Sequence, residues 1–187
     1  LLLGEDSVAF LPPGGNTRLR RLTQEAVEHH RAEAMLRLSH KEVRALVILP
    51  ETMLEKFPSR NTLQGRILRL QSGMEIEPMD ILRRLLNAGF RREVQVEGSG
   101  ECALRGGILD LFPYGSKHPL RLEFWGDEIT SIREFDPRTQ RSLQQIDSVD
   151  VMITKSSARE KGRVFDLLEG PIFFDEPDLI AKRLEGI

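Results

Sequence analysis

The residues best suited to recognition chemistry cluster in the second half of the chain. Trp125, the only Trp among 187 residues, closes the run Leu120-Arg121-Leu122-Glu123-Phe124-Trp125 and is followed at once by Gly126-Asp127. A glycine opening a two-residue connection between alternating runs is a hairpin signal. It sets Trp125 opposite Glu128, Phe124 opposite Ile129, Glu123 opposite Thr130 and Arg121 opposite Ile132. Side chains alternate along a strand, so Leu120, Leu122 and Phe124 share the core face and Arg121, Glu123 and Trp125 share the other. Trp and Arg dominate the energetics of protein interfaces, which makes this pair a candidate anchor. The competing reading packs Trp125 beneath a loop or an edge helix. Arg105-Gly106-Gly107 interrupts two further strand-like runs, and glycine there marks a bulge or a close backbone approach. Arg105 is then either presented at a bend or a surface Arg beside a turn.

Catalytic chemistry finds less support. No G-x-x-x-x-G-K-[ST] cradle exists, because Lys161-Gly162 runs in the wrong order and Gly14-Gly15-Asn16 brings neither Lys nor hydroxyl. Ile172-Phe173-Phe174-Asp175-Glu176 has the apolar-strand-then-acid form of a magnesium motif, or of an acidic turn after a buried strand. His29 and His30 are adjacent on a helix, about 100° apart, and cannot share a metal. Cys102 and His118 could pair only by coincidence of folding, and a buried thiol is the better reading of Cys102. Arg18, Arg20 and Arg21 could touch phosphates, but Glu25, Glu28 and Glu33 follow on the same predicted helix and suggest a solvated face. No metal and no cofactor are expected.

The elements that must position these residues fall into two textures. Val8 to Leu11 reads as a strand closed by Pro12-Pro13-Gly14-Gly15. A helix capped by Asn16 or Thr17 runs on to Leu38. Consecutive Ala45 to Leu49 then read as a parallel strand covered on both faces. Strand, helix and buried strand make a βαβ unit, followed by a short helix from Thr52 to Phe57. Beyond it, a brief strand at Ile67 to Leu70 leads to a helix from Pro78 with a stripe of Ile81, Leu82, Leu85 and Leu86, stopped by Gly89. Five strands then succeed one another: Glu101–Arg105, Gly107–Phe112, Leu120–Trp125, Glu128–Phe135 and Ser148–Ile153. Lys155 to Lys161 reads as a linker, and Val164 to Leu168, Ile172 to Phe174 and Leu179 to Leu184 return to core texture.

Composition bounds what such a chain can do. Lys plus Arg is 27 and Asp plus Glu is 29, a net charge of −2, so bulk charge cannot hold a polyanion. One Cys excludes an internal disulfide and a cysteine zinc cluster. Leu1-Leu2-Leu3 is followed by Glu5 and Asp6, with no basic region or apolar stretch of signal-peptide form. The chain opens without Met in the middle of an apolar run, which reads as a piece of a longer protein. No run approaches the ~20 apolar residues of a spanning helix, so no membrane partner is expected.

The stretch Gly100 to Leu143, GECALRGGILDLFPYGSKHPLRLEFWGDEITSIREFDPRTQRSL, closely resembles the second domain of bacterial transcription-repair coupling factors and of their relative UvrB. GMEIEPMDILRRLLNAGF before it fits the same pattern, and RAEAMLRLSHKEVRALVILPETMLEKFP is similar to the end of their first RecA-like lobe. UvrB itself carries a Tyr-rich hairpin used on damaged DNA. This chain has one Tyr and runs from Leu11-Pro12-Pro13 straight into Gly14-Gly15, and FDPRTQRSL looks like the coupling factor. The resemblance implies an α/β fold: part of a degenerate RecA-like helicase lobe (1–57 and 151–187) with an inserted α+β domain on an antiparallel sheet (58–150). It implies a bacterial, cytoplasmic, non-enzymatic module that recruits the damage-recognition ATPase UvrA. RNA polymerase and DNA would be met through other domains of an ATP-dependent parent. Family UvrA contacts carry over onto Arg105, Arg121 and the position of Trp125, where relatives usually have Phe. Asp175 and Glu176 would be the relic of an acidic motif. The alternative is UvrB, the ATP-dependent damage-verifying subunit.

Overall fold

The computed structural model describes residues 7–14, 22–153 and 160–185. The chain divides into two compact units, Leu1–Gln64 with Ser156–Ile187 and Gly65–Lys155. The first is built on a βαβ motif. Strand β1 (Val8–Leu11) leads into helix α1 (Gln24–Ser39), and β2 (Ala45–Ile48) returns parallel to β1 with Val8 beside Ala45 and Leu11 beside Ile48. Thr23 caps α1, its Oγ1 accepting the Ala26 N–H at 3.2 Å. The caps expected at Asn16 or Thr17, and the Arg18, Arg20, Arg21 cluster, lie outside the described residues, as does most of the 155–161 linker. Helices α2 (Pro50–Leu54) and α3 (Arg60–Gln64) follow, then a 3-10 turn at Val164–Leu167 and α5 (Pro177–Glu185). Leu11, Val27, Ala34, Phe57, Leu63 and Val164 are buried in this unit.

The second unit is a helix against a sheet. Strand β3 (Ile67–Gln71) precedes α4 (Pro78–Asn87), and then come β4 (Arg91–Arg92), β5 (Glu101–Arg105), β6 (Ile108–Leu111), β7 (Leu120–Trp125), β8 (Glu128–Phe135), β9 (Ser142–Ile146) and β10 (Ser148–Met152). Strands β4 to β9 form one sheet in sequence order, antiparallel except for the parallel β4–β5 edge. The entering strand β3 and the leaving strand β10 pair antiparallel with each other, Ile67 beside Met152. Helix α4 buries Ile81, Leu82 and Leu85 against Cys102, Leu109, Leu111, Leu120, Leu122, Ile129 and Ile132, with Leu68, Leu70 and Val151 from the β3–β10 pair. Burying each large aliphatic side chain contributes ~1.5–3 kcal/mol, so this layer holds the unit together. Gly89 closes α4 at φ 89°: its N–H reaches the Leu86 carbonyl, and the Phe90 N–H reaches Leu85 at 3.0 Å before the Phe ring turns into the core.

Several sequence expectations change here. The boundary expected at 57/58 falls short of α3, which belongs to the first unit: Leu63 is buried and Gln64 Nε2 donates to the Ser39 carbonyl at 2.8 Å. The one at 150/151 cuts through β10, whose pairing with β3 keeps it in the second unit. Strand β2, expected covered on both faces, has Val47 50% exposed, so among the described residues the face that Val47 points to is left open. Ile172–Phe174 is neither strand nor core: it pairs with no strand, and Phe173 is 88% exposed. Helix α5 buries none of its residues, so the core texture expected of Leu179 to Leu184 also fails.

One local constraint is severe. Gly100 sits at φ 78°, and a Cβ there would come within 2.1 Å of the Tyr114 Oη. Gly100→Ala combines left-handed strain with a clash and should cost on the order of 1–3 kcal/mol, read as a lowered urea midpoint. An unchanged midpoint would show that Tyr114 moves away freely.

Candidate functional site

Strand β6 places an acid where its neighbours place aliphatics. In Ile108-Leu109-Asp110-Leu111 the two Leu side chains face α4, so Asp110 projects onto the opposite face of the sheet. Its side chain is only 1% exposed. A carboxylate out of water needs full pairing, and the register supplies it. Asp110 lies beside Arg121 on β7, whose Nε donates to Oδ1 at 2.7 Å and Nη2 to Oδ2 at 2.8 Å. Arg105, at the end of β5, donates its Nη2 to the same Oδ2 at 2.8 Å. Two of the residues singled out from sequence thus share one buried carboxylate, which sequence reasoning missed.

Arg121 is fixed on two further sides. Its guanidinium lies over the Phe135 ring at 4.5 Å, and Phe135 is buried in a small cluster with Val96 and Ala103. Its Nη2 also donates to Gln140 Oε1 at 2.9 Å. Gln140 is delivered by a tight loop in which Asp136 Oδ1 accepts the N–H groups of Arg138 (2.8 Å) and Thr139 (3.0 Å). Those N–H groups, Thr139 first, hold the Asp136 carboxyl below its usual range. The hydrogen bond to Asp110, with the nearby negative charge, raises Arg121 further above its ordinary value against the opposing effect of burial, so it stays a cation at any working pH.

Trp125 is 82% exposed at the end of β7, so the reading that packs it beneath a loop does not hold in the described structure. By alternation it shares the face of Arg121, about 13 Å along the strand for four residues. The hairpin keeps the expected pairs Trp125–Glu128 and Phe124–Ile129, but then the register shifts. Thr130 is an extra residue on β8, so Glu123 faces Ser131 and Arg121 faces Arg133, not Thr130 and Ile132. The cause is packing. Ile129 and Ile132 both enter the core under α4, and residues three apart on a regular strand cannot share a face. Glu123 then accepts from Ser131 Oγ at 2.8 Å and pairs with Arg133 at 3.3 Å. The turn end of the hairpin is tied down by the connection into α4, where Ile76 N–H donates to the Asp127 carbonyl and Ile129 N–H to that of Met74.

The remaining candidates are not drawn into this face. Cys102 is buried on the core side, its Sγ donating to the Arg91 carbonyl at 3.5 Å, and burial pushes its thiol up to about 11. Asp175 and Glu176 precede α5 in the other unit, Glu176 at φ 51°. No group of three or more His, Cys, Asp or Glu able to hold a metal occurs among the described residues. No described helix is long and apolar enough to cross a membrane. This face of the sheet carries an exposed aromatic and two guanidiniums held by one carboxylate.

Comparison with known proteins points the same way. Residues 68–156 match the UvrB interaction domain. The chain is 34% identical to the transcription-repair-coupling factor of Escherichia coli K12 over 122 residues, 65% of this chain and 11% of that protein. It is 37% identical to that of Haemophilus influenzae over 123 residues, again 65% and 11%. With that of Bacillus subtilis it shares 29% over 160 residues, 84% and 14%. The chain thus spans between 11% and 14% of the length of these relatives, and the resemblance drawn from GECALRGGILDLFP onward is borne out.

The pairing predicts a graded stability series. The sequence alone suggests that folding tolerates loss of any of the three exposed-face residues, but Arg121→Ala removes two of the three arginine bonds to a buried carboxylate and leaves it to Arg105 alone. It should cost about 3 kcal/mol in denaturant unfolding, Arg105→Ala about 1 kcal/mol and Trp125→Ala under about 0.5 kcal/mol; equal losses for all three would contradict this geometry. For Cys102 the neutral thiol is the folded form. Its folded value lies above its ordinary one, so this contribution to stability is whole below about pH 9 and fades toward pH 11. Iodoacetamide at pH 8 should label Cys102 slowly in the native protein and rapidly in urea.

Proposed function

We infer that this chain, which carries the UvrB interaction domain and is similar to part of transcription-repair-coupling factors, is a protein-binding module that recruits UvrA to sites of transcription-coupled repair. The observation that carries the reading is Trp125, 82% exposed on a backbone-anchored hairpin and sharing a sheet face with two guanidiniums held in place. An exposed aromatic rimmed by oriented charge is the composition of a binding hot spot. Arg105, Arg121 and Trp125 are the contact residues in this proposal, with Arg105 and Arg121 receiving a carboxylate of UvrA.

The module has no ATPase activity of its own in this reading. The sequence has no phosphate-gripping Lys and hydroxyl. After β1, where such a loop would begin, the Gly14 N–H donates to the carboxylate of Glu55, which is itself paired with Arg31 at 2.9 Å. A protein anion thus stands against the backbone donor of that turn. Asp175 and Glu176 are then a relic with no phosphate to serve. The parallel β1–α1–β2 unit supports assignment of the first unit to a degenerate RecA-like lobe. RNA polymerase, DNA and ATP-driven translocation belong to other parts of a longer parent, in the bacterial cytoplasm.

Titrating purified UvrA into the chain by calorimetry tests the reading. Wild type should bind, Trp125→Ala should weaken binding about 30-fold, equivalent to ~2 kcal/mol, and Arg105→Ala about tenfold. ATP with magnesium, titrated into the same protein, should give no heat of binding. Wild-type affinity in both variants would remove Trp125 and Arg105 from the interface.

A further inference from the structure

The two arginines come from strands separated by β6, and among the described residues the Asp110 carboxylate bonds both guanidiniums. Arg105 ends β5 and Arg121 lies on β7, while Asp110 stands between them on β6 with its side chain 1% exposed. One oxygen, Oδ2, takes an N–H from each arginine at 2.8 Å, and Oδ1 takes Arg121 Nε at 2.7 Å. Without that carboxylate two like charges would face each other across one strand and separate. With it, the cluster carries a net single positive charge in one geometry, with Arg105 47% exposed toward any partner. An arginine already held by a carboxylate loses less freedom when it meets a second one.

We propose that Asp110 is the positioning residue of this face, fixing Arg105 and Arg121 as one preorganised receptor for a partner carboxylate without touching the partner itself. The proposal rests on the UvrA reading above and deepens it. Gln140 acts in the same sense from the other side, accepting from Arg121 Nη2 at 2.9 Å. The face is therefore read by its charge geometry as well as by its aromatic anchor. An arginine kept in place but left unsupported would still attract the partner yet bind it less tightly.

The test is a double-mutant cycle in UvrA titrations with Asp110→Asn, which keeps the shape and removes the charge, in wild-type and Arg105→Ala backgrounds. Asp110→Asn should weaken binding about tenfold in the wild type and no more than about threefold once Arg105 is gone, because its effect passes through the arginines. Asp110→Glu should recover part of the loss, and Trp125→Ala combined with Asp110→Asn should be additive. Should Asp110→Asn melt below the assay temperature, Gln140→Ala, which strands no buried charge, must weaken binding measurably while the melt stays unchanged. Equal losses in both backgrounds, or full affinity of a folded Asp110→Asn or Gln140→Ala, overturn the positioning role and leave the UvrA reading intact. Absence of binding by the wild-type chain overturns that reading and this proposal with it.

Discussion

A carboxylate withdrawn from water must be matched by cations, and on this sheet the requirement falls on Asp110. Its pairing governs more than its own neighbourhood. Arg121 reaches both oxygens from above the Phe135 ring, a buried aromatic on the face away from α4. The loop after β8 has to turn tightly enough to bring Gln140 to the same guanidinium, and the Asp136 side chain supplies that turn. Arg105 extends the network to the β5 end. The polar face is thus built outward from one buried charge, as the opposite face is built outward from Ile81, Leu82 and Leu85.

Much of this was legible in alternation. The run Leu120 to Trp125 sorted its side chains correctly and Gly126 marked a real hairpin, whereas Gly106-Gly107, read as a bulge or a close approach, is the turn of a second hairpin. The bulge at Thr130 left a signal in the sequence too: Ile129 and Ile132 are an odd number of residues apart, so both can enter one core only if a residue is looped out. Asp110 was hidden because an acid alternating with leucines reads as an ordinary solvated position. Its meaning depends on the β6–β7 register, which a chain with an eight-residue connection between those strands does not declare locally. In the first unit the apolar run 172–174 misled, because apolar composition reports only what could be covered, whereas coverage itself is set by strands elsewhere.

The two faces of the sheet divide the labour of the second unit. The α4 face supplies the apolar burial that makes it fold. The other face carries Arg105, Arg121, Glu123 and Arg133, each held by a neighbour, so binding at this face, as proposed, would require little further side-chain ordering. The hairpin bearing Trp125 is fixed at its turn end by backbone bonds to Met74 and Ile76, so the aromatic is presented on a stiff support. Rigidity at this site therefore comes from the backbone for the aromatic and from charge pairing for the cations.

The pairing of β3 with β10 has a consequence for how the second unit can be used. Its chain enters and leaves on adjacent strands, Ile67 beside Met152, with the Ile153 N–H bonded to the Arg66 carbonyl at 2.9 Å and Leu68, Leu70 and Val151 sealed into its own core. A unit whose two ends are stitched together in this way behaves as a cassette. It can be spliced into a surface loop of an unrelated host, whose own strands or helices need be parted by little more than the ~5 Å between neighbouring strands.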